Sequence, residues 1–344
     1  MASCTAAVLL AVACARNTGD RAPAPIDSRS HWIDAAGHTN VRIPIGGTLL
    51  HYVDYGGNGL PVVFLAGMGN SAHVFDEFAP RFTDRHRVLA FTRRGFGESG
   101  QPGSGYDTKR LGDDVRDLLD SLSIPQAVLV GHSVGGDELT DVGARFPERV
   151  AGLVYLDAAY DRAGVTGRLL QQLLLGQLPP KAPRANGPDR SSVVSFREYL
   201  ERIYGVPWPE SEVRATRVFS NDGHYVGDVT PARINLAVAR GETAMRYERL
   251  TAPILAIYAV DRTVDRDYPW IRRMVIGQGK ANLQAEKAIR AQRRWERDGR
   301  SRLAAARPHA RIVELRNASH YLFISNADTV EFELRKFLRG LPSA

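Results

Sequence analysis

The stretch AVLVGHSVGGDELT, residues 127–140, decides the fold. Four apolar residues run into Gly131, a serine stands between small neighbours, and the chain then turns polar with helical spacing. Short buried-strand patterns of this kind recur on both sides of it. PVVFLAG (61–67) and RVLAFTRRG (87–95) precede it; AGLVYLDAAY (151–160), APILAIYAV (252–260) and ARIVELRN (310–317) follow. Between them lie amphipathic segments such as TKRLGDDVRDLLDSL (108–122) and DTVEFELRKFL (328–338), and a helical pattern around Ala72–Phe82. Buried strands alternating with amphipathic helices predict an α/β fold, a mostly parallel sheet with helices on both faces. Residues 41–55 split at Gly46-Gly47, which predicts two strands joined by a tight turn.

The alternation lapses between about Asp161 and Leu250. That segment carries a Leu-rich helix pattern (167–178), a Pro-rich loop (179–188) and further helical pieces, and reads as an insertion of residues 161–250. The expected core is therefore in two parts, 40–160 and 251–344. Ahead of it, residues 1–30 read as an export leader with an apolar run, Ala6–Ala13, and a Pro/Ala/Ser tail. AVAC ending at Cys14 resembles a bacterial lipoprotein cleavage box, so an acylated Cys14 would anchor an exported chain to a membrane. Without a functional leader the expected location is the cytoplasm.

Composition narrows the chemistry. Both cysteines, Cys4 and Cys14, fall within this leader, which excludes thiolate clusters, disulfides and a cysteine nucleophile from the folded body. The formal charge of +7 arises largely between Ile271 and Pro308, where Lys and Arg far outnumber Asp and Glu. No aromatic residues interleave as a nucleic-acid groove would need, so the segment reads as a solvated helical face. Neither a metal nor a cofactor is implied, and no oligomeric state follows.

A serine held at a sharp strand-to-helix turn projects from the carboxyl edge of the sheet, where open α/β folds place their sites. Alone it is a poor nucleophile, so a base is needed, and imidazole has the right basicity. Among the nine histidines, His320 directly follows the last strand, in the order serine, acid, histidine. The acid should end a strand after the serine, and two positions compete: Asp157 at the end of GLVYLD, and Asp261 after APILAIYAV, with Asp265 behind them.

On the motifs LAGMGNS, FTRRGFGESG, VGHSVGG and ELRNASHYLF, the chain resembles the α/β-hydrolase superfamily over about residues 40–340. The resemblance implies a nucleophile at Ser133, a base at His320, and an oxyanion hole made by the N–H groups of Met68 and Val134. It also implies that the 161–250 insertion caps the serine, with Arg168–Leu178 as a wall of an acyl pocket. Two departures stand out. The family's usual His-Gly turn reads Ala66-Gly67 here, and its usual acid after the later strand falls at Arg262. Arg93 and Arg94 match a basic position that holds the loop, and Asp137 and Glu138 could join a polar network behind the serine.

The function expected is a serine hydrolase of carboxylic esters acting on a small acyl substrate, with no nucleic-acid partner. Carbon–carbon hydrolysis or a cofactor-free perhydrolase would use the same three groups, and a catalytically silent binding protein is the alternative from another class. Ser133 argues against epoxide and carbon–halogen chemistry, which in this superfamily uses a carboxylate at the elbow.

Overall fold

The computed structural model describes residues 37–164, 172, 175–274 and 276–342. The leader with Cys4 and Cys14, and most of the Leu-rich segment assigned to an acyl pocket, lie outside the described residues. Two strands, β1 (Thr39–Ile45) and β2 (Thr48–Gly56), pair antiparallel around Gly46-Gly47. They are followed by β3 (Val62–Leu65), β4 (Val88–Thr92), β5 (Ala127–His132) and β6 (Val150–Leu156). The strands β7 (Arg217–Phe219) and β8 (Tyr225–Asp228) form a separate hairpin, and β9 (Ile254–Val260) and β10 (Arg311–Arg316) return to the main sheet. That sheet has eight strands in the order β1-β2-β4-β3-β5-β6-β9-β10, parallel from β4 onward.

Period-two alternation divides the core into two layers. On one face Val62, Phe64, Val128, Val130, Val154, Leu156, Leu255 and Ile257 pack under Phe75, Phe82 and helix residues Val330 and Leu334. On the other face Val63, Leu65, Leu129, Leu153, Tyr155 and Ala256 pack under Val115, Leu118, Leu139 and Val142. The second group of helices is α1 (Thr108–Ser121), capped by the Asp107 carboxylate on the Arg110 N–H, and α2 (Gly135–Arg145). A helix starting with an Asp cap in this way gains about 1 kcal/mol. In place of the single helix expected around Ala72–Phe82 there are two short 3-10 turns, Ala72–Phe75 and Ala79–Phe82. Pro80 lies inside that stretch, where its ring and missing N–H break a continuous helix.

Between β6 and β9 lie α3 (Val193–Tyr204), α4 (Glu210–Thr216), the small hairpin and α5 (Ala232–Gly241). Beyond β9, the long α6 (Gln278–Ala306) buries Ala281, Ala285, Ala288, Ile289 and Leu303 along one face. Its arginines stand on the rest of the surface, several in ion pairs such as Arg300 with Glu314 at 3.0 Å. The chain closes on α7 (Ala327–Arg339). No helix among the described residues is long and apolar enough to cross a membrane.

Candidate active site

Four strand ends share one backbone device. Ser133, Asp157, Asp261 and Asn317 each follow directly on β5, β6, β9 and β10, and each has φ between +49° and +53°. Three of them donate their N–H to the end of the neighbouring strand: Ser133 to Leu156 O at 3.3 Å, Asp157 to Ile257 O at 2.8 Å and Asn317 to Val260 O at 2.7 Å. Asp and Asn tolerate this left-handed region; serine does so less readily, so Ser133 is the strained member. Space around it is made by glycines. A Cβ on Gly135 would lie 2.4 Å from Leu65 O, and one on Gly131 would lie 2.6 Å from the Gly135 carbonyl. Those close approaches explain why the turn reads Gly-His-Ser-Val-Gly rather than carrying larger residues.

His320 and Asp157 meet across the sheet edge, His320 Nδ1 lying 2.6 Å from Asp157 Oδ2 with both side chains buried. Burial works against the carboxylate. The hydrogen bond from His320 and the charge of Arg262 nevertheless hold Asp157 well below the usual carboxylate range. An ionised carboxylate only accepts, so Nδ1 carries the imidazole proton and Nε2 is left as the acceptor. Burial depresses the basicity of His320 below that of a free imidazole, and the bond to Asp157 only partly restores it. Ser133 immediately follows His132, whose ring centroid is 4.5 Å from that of His320 and whose Nε2 meets His320 O at 3.0 Å. A proton-accepting nitrogen and a strained serine are thereby gathered at the carboxyl edge.

Asp157 is bound on every side. Its Oδ1 accepts from Ala259 N at 3.0 Å and Tyr160 OH at 2.5 Å, and Arg262 Nη1 reaches Oδ2 at 3.2 Å. The other candidates stand elsewhere. Asp261 points out to solvent, 3.8 Å from exposed Arg316, and Asp265 pairs with exposed Arg272. Arg262, at the position where the family's usual acid falls, instead turns inward as the partner of Asp157.

Met68 and Val134, the expected oxyanion donors, pack in one buried cluster with Phe96, Tyr106, Leu111 and, from α5, Ile234 and Val238. The turn that carries Met68 is held from behind. Arg93 donates to Ala66 O at 2.7 Å and Gly67 O at 3.3 Å, and is itself paired with the buried Glu138. Arg93 thus ties both carbonyls of the Ala66-Gly67 turn to the buried Glu138. Arg94 is spent on Asp114, and Asp137 on Arg162 at 3.2 Å.

Three residues reach the site region without any signal in the sequence reading: Tyr160, Tyr321 and Glu212. The spacing Asp157–Tyr160 was visible in the sequence, but only the turn after β6 brings the hydroxyl back to the carboxylate. A separate group, His38, His73 and Asp76, places possible metal donors within 4.8 Å of one another. The carboxylate there is already engaged by Tyr55 OH at 2.6 Å, His73 Nδ1 at 2.8 Å and Ser211 OH at 2.5 Å, so it reads as a closed hydrogen-bonded cluster.

Comparison with known proteins agrees with this architecture. Residues 61–193 match the family model described as alpha/beta hydrolase fold. The chain is 33% identical over 116 residues to 2-(acetamidomethylene)succinate hydrolase of Mesorhizobium japonicum, covering 34% of this chain and 41% of that protein. It is 26% identical over 292 residues to a haloalkane dehalogenase of the same organism, covering 84% of this chain and 87% of that one. The first curated relatives are matched over only about two fifths of their length, 37%, 41% and 42%. Among solved structures, E-2-(acetamidomethylene)succinate hydrolase superposes with a TM-score of 0.65 at 19% identity, over 88% of this chain and all (100%) of that one. With the sheet order, the matched segment and this likeness in agreement, the chain has the α/β-hydrolase fold.

Proposed function

We propose that the chain is a serine hydrolase of carboxylic esters. The observation that carries the reading is the buried His320–Asp157 pair, with its tautomer fixed, behind a serine at φ +53°. In the proposed reaction His320 Nε2 takes the proton of Ser133 Oγ as the oxygen attacks the ester carbonyl. The resulting oxyanion is received by the N–H groups of Met68 and Val134, and Asp157 balances the imidazolium. Return of the proton to the alcohol leaves an acyl-enzyme on Ser133. Water then repeats the sequence with His320 again as base, releasing the acid and restoring the serine. The apolar cluster around Met68, Phe96 and Ile234 gives the acyl group a dry wall, which strengthens the hydrogen bonds to the oxyanion.

The test is hydrolysis of a p-nitrophenyl ester series, from acetate to long acyl chains, together with fluorophosphonate labelling. Ser133→Ala is expected to lose labelling and to lower kcat by about 10⁴-fold or more with the far-UV spectrum unchanged. Equal turnover by folded wild type and Ser133→Ala on every ester would sink the ester reading and leave carbon–carbon hydrolysis or a silent binding protein in its place.

A further inference from the structure

Glu212, on the cap helix α4, is fully buried (0% exposed) and aims its carboxylate at the turn that follows β3. Its Oε1 accepts from Asn70 Nδ2 at 2.9 Å and from Ser71 N at 3.2 Å. Its Oε2 accepts from Ser71 N at 3.2 Å and from Ser71 Oγ at 2.5 Å. Asn70 in turn accepts from Tyr321 OH at 3.3 Å through its Oδ1. The Tyr321 ring lies 4.9 Å from His132 and 5.6 Å from His320, and Trp208 of the cap packs on it at 5.0 Å. One carboxylate of the cap is thus tied to the loop of Met68 and, through two side chains, to the loop of His320.

The geometry points to Glu212 as a positioning residue, a latch by which the cap holds the oxyanion turn in register with His320 when its carboxylate is ionised. This inference rests on the ester-hydrolase reading for its effect on rate, and on the hydrogen bonds alone for its effect on the turn. Every donor around Glu212 is neutral and already points at an acceptor. Protonating the carboxyl places a second hydrogen in a site built from donors, so either the Ser71 hydroxyl must turn to accept it or one of the bonds opens, and the turn's hydrogen bonding is rearranged in both cases.

Burial is the largest influence on Glu212 and raises it to about 7, against the bonds from Ser71 and Asn70 and the charge of His73, which lower it. The other charged or titratable groups facing it are Arg217, at the end of the same helix, and Asp76, joined to the neighbouring Ser211. The carboxyl is therefore ionised above neutral pH and becomes protonated as pH falls through about 7. His320, lowered from 6.5, still keeps Nε2 free there.

Two readouts test the latch, both on the full chain. One is kcat against pH on p-nitrophenyl butyrate for wild type and Glu212→Gln. The other is amide hydrogen exchange of residues 66–72 against pH, corrected for the intrinsic rate. Wild-type kcat should fall as pH drops through about 7, with KM little changed. Glu212→Gln should have a plateau about tenfold to a hundredfold lower, of the size a small misplacement of the catalytic geometry produces, and its acid limb should move down to that of His320. Wild-type protection of the turn should fall over the same pH range and be low at all pH values in the variant. If Glu212→Gln keeps the wild-type rate, profile and protection, the latch is wrong. Ester turnover with pH-independent protection in wild type also overturns it, and needs no variant to fold. Protection that follows pH in a wild type without ester turnover upholds the latch and removes the ester reading instead.

Discussion

Asp157→Asn is expected to lower kcat by about 10⁴-fold, whereas Asp261→Asn turns over at the wild-type rate. The asparagine side chain keeps the size of the carboxylate but can present its NH₂ to His320 Nδ1, which then must accept. The proton moves to Nε2, which can then no longer take the Ser133 proton in the proposed reaction. An exchange of tautomer without loss of structure has effects of this order in other triads. Asp261 supplies the contrast because its backbone is the same, φ +50° after a parallel strand, while its carboxylate stands in solvent. Steady-state kinetics of the two purified variants on one ester checks the assignment; an equal loss in both, or none in either, would remove it.

The second large effect belongs to Arg262. One buried guanidinium serves three buried carboxylates, reaching Asp157 at 3.2 Å, Asp267 at 2.9 Å, and Glu296 of α6. Arg262→Met leaves them facing one another without a cation. Breaking a buried pair costs about 3–5 kcal/mol, and at about 2–4 °C per kcal/mol the melting temperature should drop by about 10 °C. The sign of the pH dependence follows from the carboxylates. Glu296 is already raised by burial to about 7 against the lowering charge of Arg262, and losing that charge raises it further. A carboxyl whose folded value exceeds its unfolded one weakens the fold progressively as pH rises between the two. The deficit of Arg262→Met should therefore be largest above pH 7 and shrink toward pH 5. Calorimetry at the two pH values measures it, and a deficit that grows on acidification would contradict the charge argument. Adding Glu296→Gln to Arg262→Met should recover part of the loss at pH 8.

Much of this is readable in the amino-acid sequence. Gly131, Ser133, Gly135 and His320 announce themselves because backbone crowding and chain order fix their types. The choice between Asp157 and Asp261 was not readable, and the reason is physical. Both are strand-end residues with the same left-handed backbone, a position that favours Asp whether or not it does chemistry. What separates them is Arg262: by turning inward it neutralises the carboxylate on β6, and nothing in its local sequence says which way it points. Glu212 was hidden for a related reason. Its partners Asn70 and Ser71 are about 140 positions away in the chain, and a lone glutamate among charged residues such as Glu210 and Arg214 looks like an ordinary surface residue.

The order of the sheet also sets a timetable. Ser133 and Asp157 belong to a single strand–helix–strand unit, β5, α2 and β6, but Asp157 is tied to Ile257 O and Ala259 N, so its place is set only once β9 has been made. His320 lies 163 positions beyond Asp157 and arrives only with β10 and α7. A nascent chain stalled between β9 and residue 320 would present the proposed nucleophile and acid without the proposed base. The three groups of the proposed reaction would thus come together only after the chain has grown past residue 320.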